Sequence, residues 1–176
     1  MRKGFGKDNK NYSSLSQQIS IKQLIEKAFL AQQKNNILEA ETIYQKLFRL
    51  NIKNQILYFN YGLLLESQKK TTEALNIYLQ AIKYFPKDPN FYNKLALLHK
   101  KQGEFKEAEK LFIKSIFIDS SFEFGYINLA NLYIDLGKNK KAEEIYKKVL
   151  KVNPNSELGN LNLGIFLRNK GELKEA

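Results

Sequence analysis

Chemistry at a protein surface needs groups that exchange protons, attack carbon or hold metals, and this chain is poor in them. It contains one histidine, His99, and no cysteine. Thiolate nucleophiles, disulfides and zinc–thiolate sites are therefore excluded together. A lone imidazole cannot complete a usual zinc site. The carboxylates Glu104, Glu107, Glu109, Glu143 and Glu144 alternate with lysines. They read as solvated i,i+4 partners on helix surfaces rather than as an acid–base pair. Gly4-Phe5-Gly6 has neither the strand before it nor the helix after it that a nucleotide loop requires. No catalytic residue, metal or cofactor is expected. What remains is amide chemistry. The chain has 18 asparagines, and each carries a donor and an acceptor on one short side chain, which suits binding rather than turnover.

The elements that would position these amides follow from the spacing of apolar residues. Residues 1–20 are polar and basic, show no helical or strand period, and read as a mobile tail. From Ile21 the apolar positions fall at helical spacing. Leu24, Ile25, Ala28, Phe29 and Ala31 form one stripe, and Leu38, Ile43, Tyr44, Leu47 and Phe48 the next, with Asn35-Asn36 between them. Ala40, Ala74, Ala108, Ala142 and Ala176 then recur every 34 residues without insertion. Four positions after the alanine stands a ring: Tyr44, Tyr78, Phe112 or Tyr146. Twelve before it stands a small residue: Ala28, Gly62, Ala96, Ala130 or Gly164. Sixteen before it, Tyr58, Tyr92 and Tyr126 repeat, and five before it Gly103, Gly137 and Gly171 mark a turn.

Each column has a physical reason. Two helices approach closely only where side chains are small, and rings beside the crossing carry the buried area. Glycine takes the left-handed backbone after a helix end. Asp88-Pro89 reads as an N-cap followed by proline at the first helical position. Ser120-Ser121-Phe122-Glu123 has the spacing of a capping box. His99 falls in the column of Leu65, Tyr133 and Leu167, so packing is its expected role.

This pattern resembles the tetratricopeptide repeat over residues 21–176. The best match is Gln55 to Asp88, with Tyr58, Tyr61, Gly62, Ala74, Tyr78, Ala81 and Pro86 in place. The first repeat departs at Leu47 and Ile52, and the third at Ser115 and Ser120. The resemblance implies an all-α, right-handed solenoid of stacked antiparallel helix pairs. Its repeats would be 21–54, 55–88, 89–122, 123–156 and an incomplete 157–176, with the first helix of each pair lining a concave side.

In that frame one concave column reads Glu26, Asn60, Lys94, Asn128 and Asn162. Asn128-Leu129-Ala130 and Asn162-Leu163-Gly164 are similar to the asparagine ladder in the tetratricopeptide region of O-linked N-acetylglucosamine transferases. The resemblance implies that Asn60, Asn128 and Asn162, with Lys94 and Lys101, contact an extended peptide or partner helix, over a floor of Leu63, Leu97 and Asn131. The family's carboxylate clamp for chaperone tails is incomplete: Asn60 fits it, but Ile25 and Phe29 stand where its first Lys and Asn belong, and Asn90 and Lys94 where its Lys and Arg belong. Lys94, Lys100 and Lys101 still make the third repeat basic, which would favour an acidic segment.

The net charge of +11 points to an acidic partner or to codon bias. With 26 Lys against 3 Arg, the reading against nucleic acid prevails, since base and phosphate readers lean on arginine. No apolar run reaches the length of a membrane span, and a cytoplasmic location is the default. The helix expected from Glu157 to about Asn169 carries Leu158, Leu161, Leu163, Ile165, Phe166 and Leu167 around most of its circumference. Such a helix expects burial. The chain would continue beyond Ala176, or self-associate through this helix, or end there frayed. The rival functional reading makes these repeats the N-terminal region of a longer bacterial enzyme, a transferase or oxygenase.

Overall fold

A computed structural model of the chain describes residues 8–171. The first seven residues of the expected tail, and the stub Leu173 to Ala176, lie outside the described residues. Among the described residues there are nine helices: α1 (Asp8–Gln33), α2 (Ile37–Arg49), α3 (Gln55–Ser67), α4 (Thr71–Tyr84), α5 (Pro89–Lys101), α6 (Phe105–Ile118), α7 (Glu123–Asp135), α8 (Asn139–Val152) and α9 (Glu157–Lys170). Short turns join them, so successive helices within a pair run antiparallel. The chain is an all-α helical repeat. It divides into two compact units, Met1–Ile77 and Tyr78–Ala176.

Helix α1 begins at Asp8, well before the helix expected from Ile21. Its N-terminal half has no apolar stripe, so a search for amphipathic period passes over it. Gln, Lys and Leu nevertheless extend a helix once it is nucleated downstream.

The first unit packs α2 against α1 and α3. Ala28 and Ala40 are fully buried, as the small-residue columns require. Rings fill the space beside them, with Tyr44 and Tyr61 centroids 5.7 Å apart and Phe48 edge-on to Tyr58 at 5.6 Å. At the rim, Glu41 binds Lys70 Nζ at 2.6 Å and accepts from Gln68 Nε2 at 2.9 Å. These bonds tie α2 to the turn before α4.

The second unit repeats the arrangement with α5 to α9. Phe112 and Tyr146 are buried beside Ala108 and Ala142, and Ala96 and Ala130 mark the close crossings. The Tyr92 hydroxyl donates to the Pro86 carbonyl at 3.2 Å, and Tyr126 to the Ser120 carbonyl at 3.1 Å. The two bonds are one repeat apart, so the ring column also ties α5 and α7 to the turns preceding them. Ser115, in the column of Leu47, Ala81 and Val149, is buried and donates to the Phe112 carbonyl at 2.7 Å, which satisfies its hydroxyl.

The turn column is geometrically uniform but chemically mixed. Gly103, Gly137 and Gly171 have φ of +80°, +68° and +84°, and Asn35 and Lys69, two repeats and one repeat before Gly103, adopt +59° and +61°. Asp88 caps α5 by accepting from the Asn90 amide at 2.9 Å, with Pro89 at the first turn. The capping box at Ser120–Glu123 does not form. Phe122 is the N-cap of α7 and makes no side-chain cap bond. Ser121 instead turns to Asp119, and Glu123 accepts from Ser156 Oγ at 2.5 Å and Asn153 Nδ2 at 2.6 Å. A carboxylate bonded to the turn between α8 and α9 is not available to its own helix start.

Candidate functional site

Two clefts lie against the first helices of the repeats, one in each unit. The cleft of the second unit is enclosed by α7, α8 and α9 and has a volume of about 350 Å³. Asn131 projects from α7 and Asn162 from α9, with Asn139 and Asn169 lining the same space. Ile134, Ile165 and Phe166 supply apolar wall. Tyr146, from α8, closes one side and donates its hydroxyl to Asn131 Oδ1 at 2.6 Å. Burial, reinforced by the charge of Asp135, pushes the Tyr146 phenol up to about 12, so it remains a neutral donor. Asn162 Nδ2 donates to the Leu158 carbonyl of its own helix at 2.8 Å. Lys and Arg are absent from this lining set.

The first unit's cleft, of about 320 Å³, lies between α1 and α3. Ile25, Phe29 and Ile56 make it mainly apolar, and Lys22, Glu26 and Asn60 stand around it. The Tyr44 hydroxyl is buried without a hydrogen-bond partner among the described residues, and burial pushes it up to about 12.

The residues singled out in the sequence are distributed as follows. Asn60 lies in the first cleft, and Asn131 and Asn162 in the second. Leu63 and Lys94 are half-buried, and Lys101 is exposed. Leu97 packs on the core beneath α7. Asn128 Nδ2 donates to Asn93 Oδ1 at 2.9 Å, so that amide is held against α5. Asn93 is buried. The sequence reading passed over it because its column holds Phe59, Ile127 and Leu161 in the other repeats. Asn139 and Asn169 were also missed, since neither belongs to a recurring asparagine column. The basic character expected around the third repeat is reduced by one charge, because Lys100 pairs with Asp135 at 2.6 Å.

No catalytic constellation assembles around His99, whose Nδ1 bonds Glu104. Glu107 pairs with Lys110, Glu143 with Lys147, and Glu109 accepts from the Tyr133 hydroxyl. Among the described residues no three His, Asp or Glu side chains gather as a metal site, and no helix is long and apolar enough to cross a membrane.

Comparison with known proteins bears on the fold and the family. Residues 62–103 match the family model described as TPR repeat, and residues 89–122 and 124–156 each match a model described as tetratricopeptide repeat. No curated protein matched the chain. A tetratricopeptide repeat protein from Parabacteroides merdae is similar in structure, with TM-score 0.71, 26% identity, and coverage of 89% of this chain and 63% of that one. PilF of Pseudomonas aeruginosa gives TM-score 0.74 at 16% identity, covering 89% of this chain and 72% of that one. The first TPR of Spaghetti (RPAP3), solved with the HSP90 peptide SRMEEVD, gives TM-score 0.58 at 20% identity, covering 66% of this chain and 95% of that one.

Proposed function

Because this chain belongs to the tetratricopeptide repeat family, we infer that it is a non-catalytic interaction scaffold holding an extended peptide or a partner helix along the first helices of its repeats. The observation that carries this reading is the pairing of amides with apolar walls in both clefts. Asn60 stands over Ile25, Phe29 and Ile56 in one, and Asn131 and Asn162 stand over Ile165 and Phe166 in the other. Amides recognise a backbone, and apolar walls take side chains. The neighbour solved with SRMEEVD is a repeat array that takes an acidic peptide. Here Lys94 and Lys101 are the cations of the same column set, and they would favour an acidic residue near the third repeat.

The test is selection of peptides from a random library on the whole chain, followed by titration against Asn60→Ala, Asn131→Ala and Asn162→Ala combined. The reading expects affinity to fall about tenfold or more, which is at least ~1.4 kcal/mol, with far-ultraviolet circular dichroism unchanged. Equal affinity would reject the amides as contacts.

A second mode, contact between copies through α9, is supported by one comparison within the repeats. Leu161 is 60% exposed, whereas Ile127 in the same column is 7% exposed. Sedimentation that depends on concentration, abolished by Leu161→Glu, is the expected outcome. A monomer at all concentrations would reject it.

A further inference from the structure

The outer face of α6 lines neither cleft described above, so what it does is independent of the groove reading. We propose that this face, with the matching face of α8, docks on an anionic lipid surface, Phe117 entering the acyl boundary and lysines meeting the headgroups.

Helix α6 buries Ala108, Phe112 and Ser115. Opposite them, Lys106, Lys110, Ile113, Lys114 and Phe117 fall within an arc of about 100° on a helix of 3.6 residues per turn, and all five are exposed. Phe117 is 80% exposed, more than any other ring among the described residues. Its column holds Arg49, Lys83 and Lys151 in the other repeats, so packing within the repeat does not call for a ring there. The same arc of α8 carries exposed Lys147, Lys148 and Lys151, with Glu144 in the column of Lys110. One repeat separates the two helices, so both faces turn to the same side of the second unit. Lys110 pairs with Glu107 at 3.0 Å and Lys147 with Glu143 at 2.7 Å, surface pairs weak enough to yield to headgroups. A prominent ring among lysines is the composition of a surface that lies in a membrane interface. Lysine stems can rest beside the acyl boundary while their ammoniums stay among the phosphates, and Lys114 Nζ already stands 5.1 Å over the Phe117 ring. Nucleic acid is the poorer match, because its readers draw on the planar fork of arginine, and neither α6 nor α8 contains one. The attachment is to the surface, since no described helix is long and apolar enough to cross a membrane.

The whole chain is sedimented with vesicles of equal parts phosphatidylserine and phosphatidylcholine, and with vesicles of phosphatidylcholine alone. Partitioning onto the anionic vesicles should be about tenfold stronger or more, and should weaken with added salt. A lysine near an anionic surface contributes about fivefold, so Lys106→Gln, Lys110→Gln and Lys114→Gln combined should lower partitioning by about tenfold or more. Phe117→Ser leaves the charge unchanged and should lower it severalfold through the lost apolar area. These side chains are exposed, so circular dichroism should stay the same in every variant. The sequence contains no tryptophan, so Phe117→Trp reports from one place. Its emission should shift to the blue on anionic vesicles and stay unshifted with neutral ones. The triple asparagine variant of the clefts should partition as the unaltered chain does, which keeps this face and the groove separately testable. Equal partitioning onto the two vesicles, undiminished partitioning of Phe117→Ser, or bound Phe117→Trp without a blue shift would each overturn the proposal. Loss of partitioning in the triple asparagine variant would overturn it by placing lipid in the clefts. Displacement from the anionic vesicles by duplex DNA at equal charge would overturn it by assigning the face to nucleic acid.

Discussion

The hydroxyl of Tyr146 on α8 donates to Oδ1 of Asn131 on α7 at 2.6 Å. A column of rings that fills the core therefore also orients a side chain in the cleft. The same burial raises its pKa. Tyr44, Tyr133 and Tyr146 all lie at about 12, chiefly through burial. In the unfolded chain they would ionise near 10. A folded-state value above the unfolded one gives stability that is complete below pH 10 and lost as pH rises toward 12. Alkaline titration followed by tyrosinate absorbance should show these three ionising together with loss of helicity. Ionisation near pH 10 with helicity intact would contradict their burial.

Acid should act through hydrogen-bonded carboxylates, Glu41 and Glu123 as well as Asp119, which Ser121 holds below its usual range. The Lys70 ammonium, then Gln68, hold Glu41 below the usual carboxylate range, and Ser156, then Asn153, do so for Glu123. Depressed values give stability that is present above the unfolded pKa of about 4.3 and lost as pH falls below it. The melting temperature should therefore drop between about pH 5 and pH 3, and the drop should be smaller in Glu41→Gln. An identical pH profile in that variant would remove Glu41 from the account.

Lys69 adopts φ +61° at the position where later repeats carry glycine. A side chain in that region costs about 1–2 kcal/mol. Lys69→Gly should stabilise the array by about 1 kcal/mol after the added freedom of the unfolded chain is deducted. Gly137→Ala, with φ +68° and no atom within 4 Å of the added methyl, should destabilise it by about the same amount, through backbone strain alone. Urea denaturation of the pair measures both, and the two signs must be opposite.

Gly125 is constrained by packing instead. A methyl there would sit 2.6 Å from Ser115 Oγ and 3.0 Å from Ile116 Cγ1. Gly125→Ala should cost about 1–3 kcal/mol. Adding Ser115→Ala should recover part of this, because it removes the nearest clashing atom.

Helix pairing, the crossings at Ala96 and Ala130 and the ring column were legible in the sequence because they recur every 34 residues, and recurrence separates packing from chance. What does not recur was not legible. Asn139 and Asn169 line the second cleft from positions with no asparagine in other repeats. The engagement of Asn128 with Asn93 depends on one buried polar residue in an apolar column. The capping box was misread because Glu123 has stronger partners in Ser156 and Asn153, distant in sequence. The turn column showed its glycines but concealed Asn35 and Lys69, since backbone geometry rather than residue type is what repeats there.

The central claim is that ligands dock on the first helices of the repeats. Its most direct test is the chemical-shift footprint of one library-selected peptide on the labelled chain. The account predicts shifts on α3, α7 and α9, concentrated at Asn60, Asn131 and Asn162. A footprint confined to the lysine-rich faces of α6 and α8, at Lys110, Lys114, Lys148 and Lys151, and lost with added salt, would contradict it.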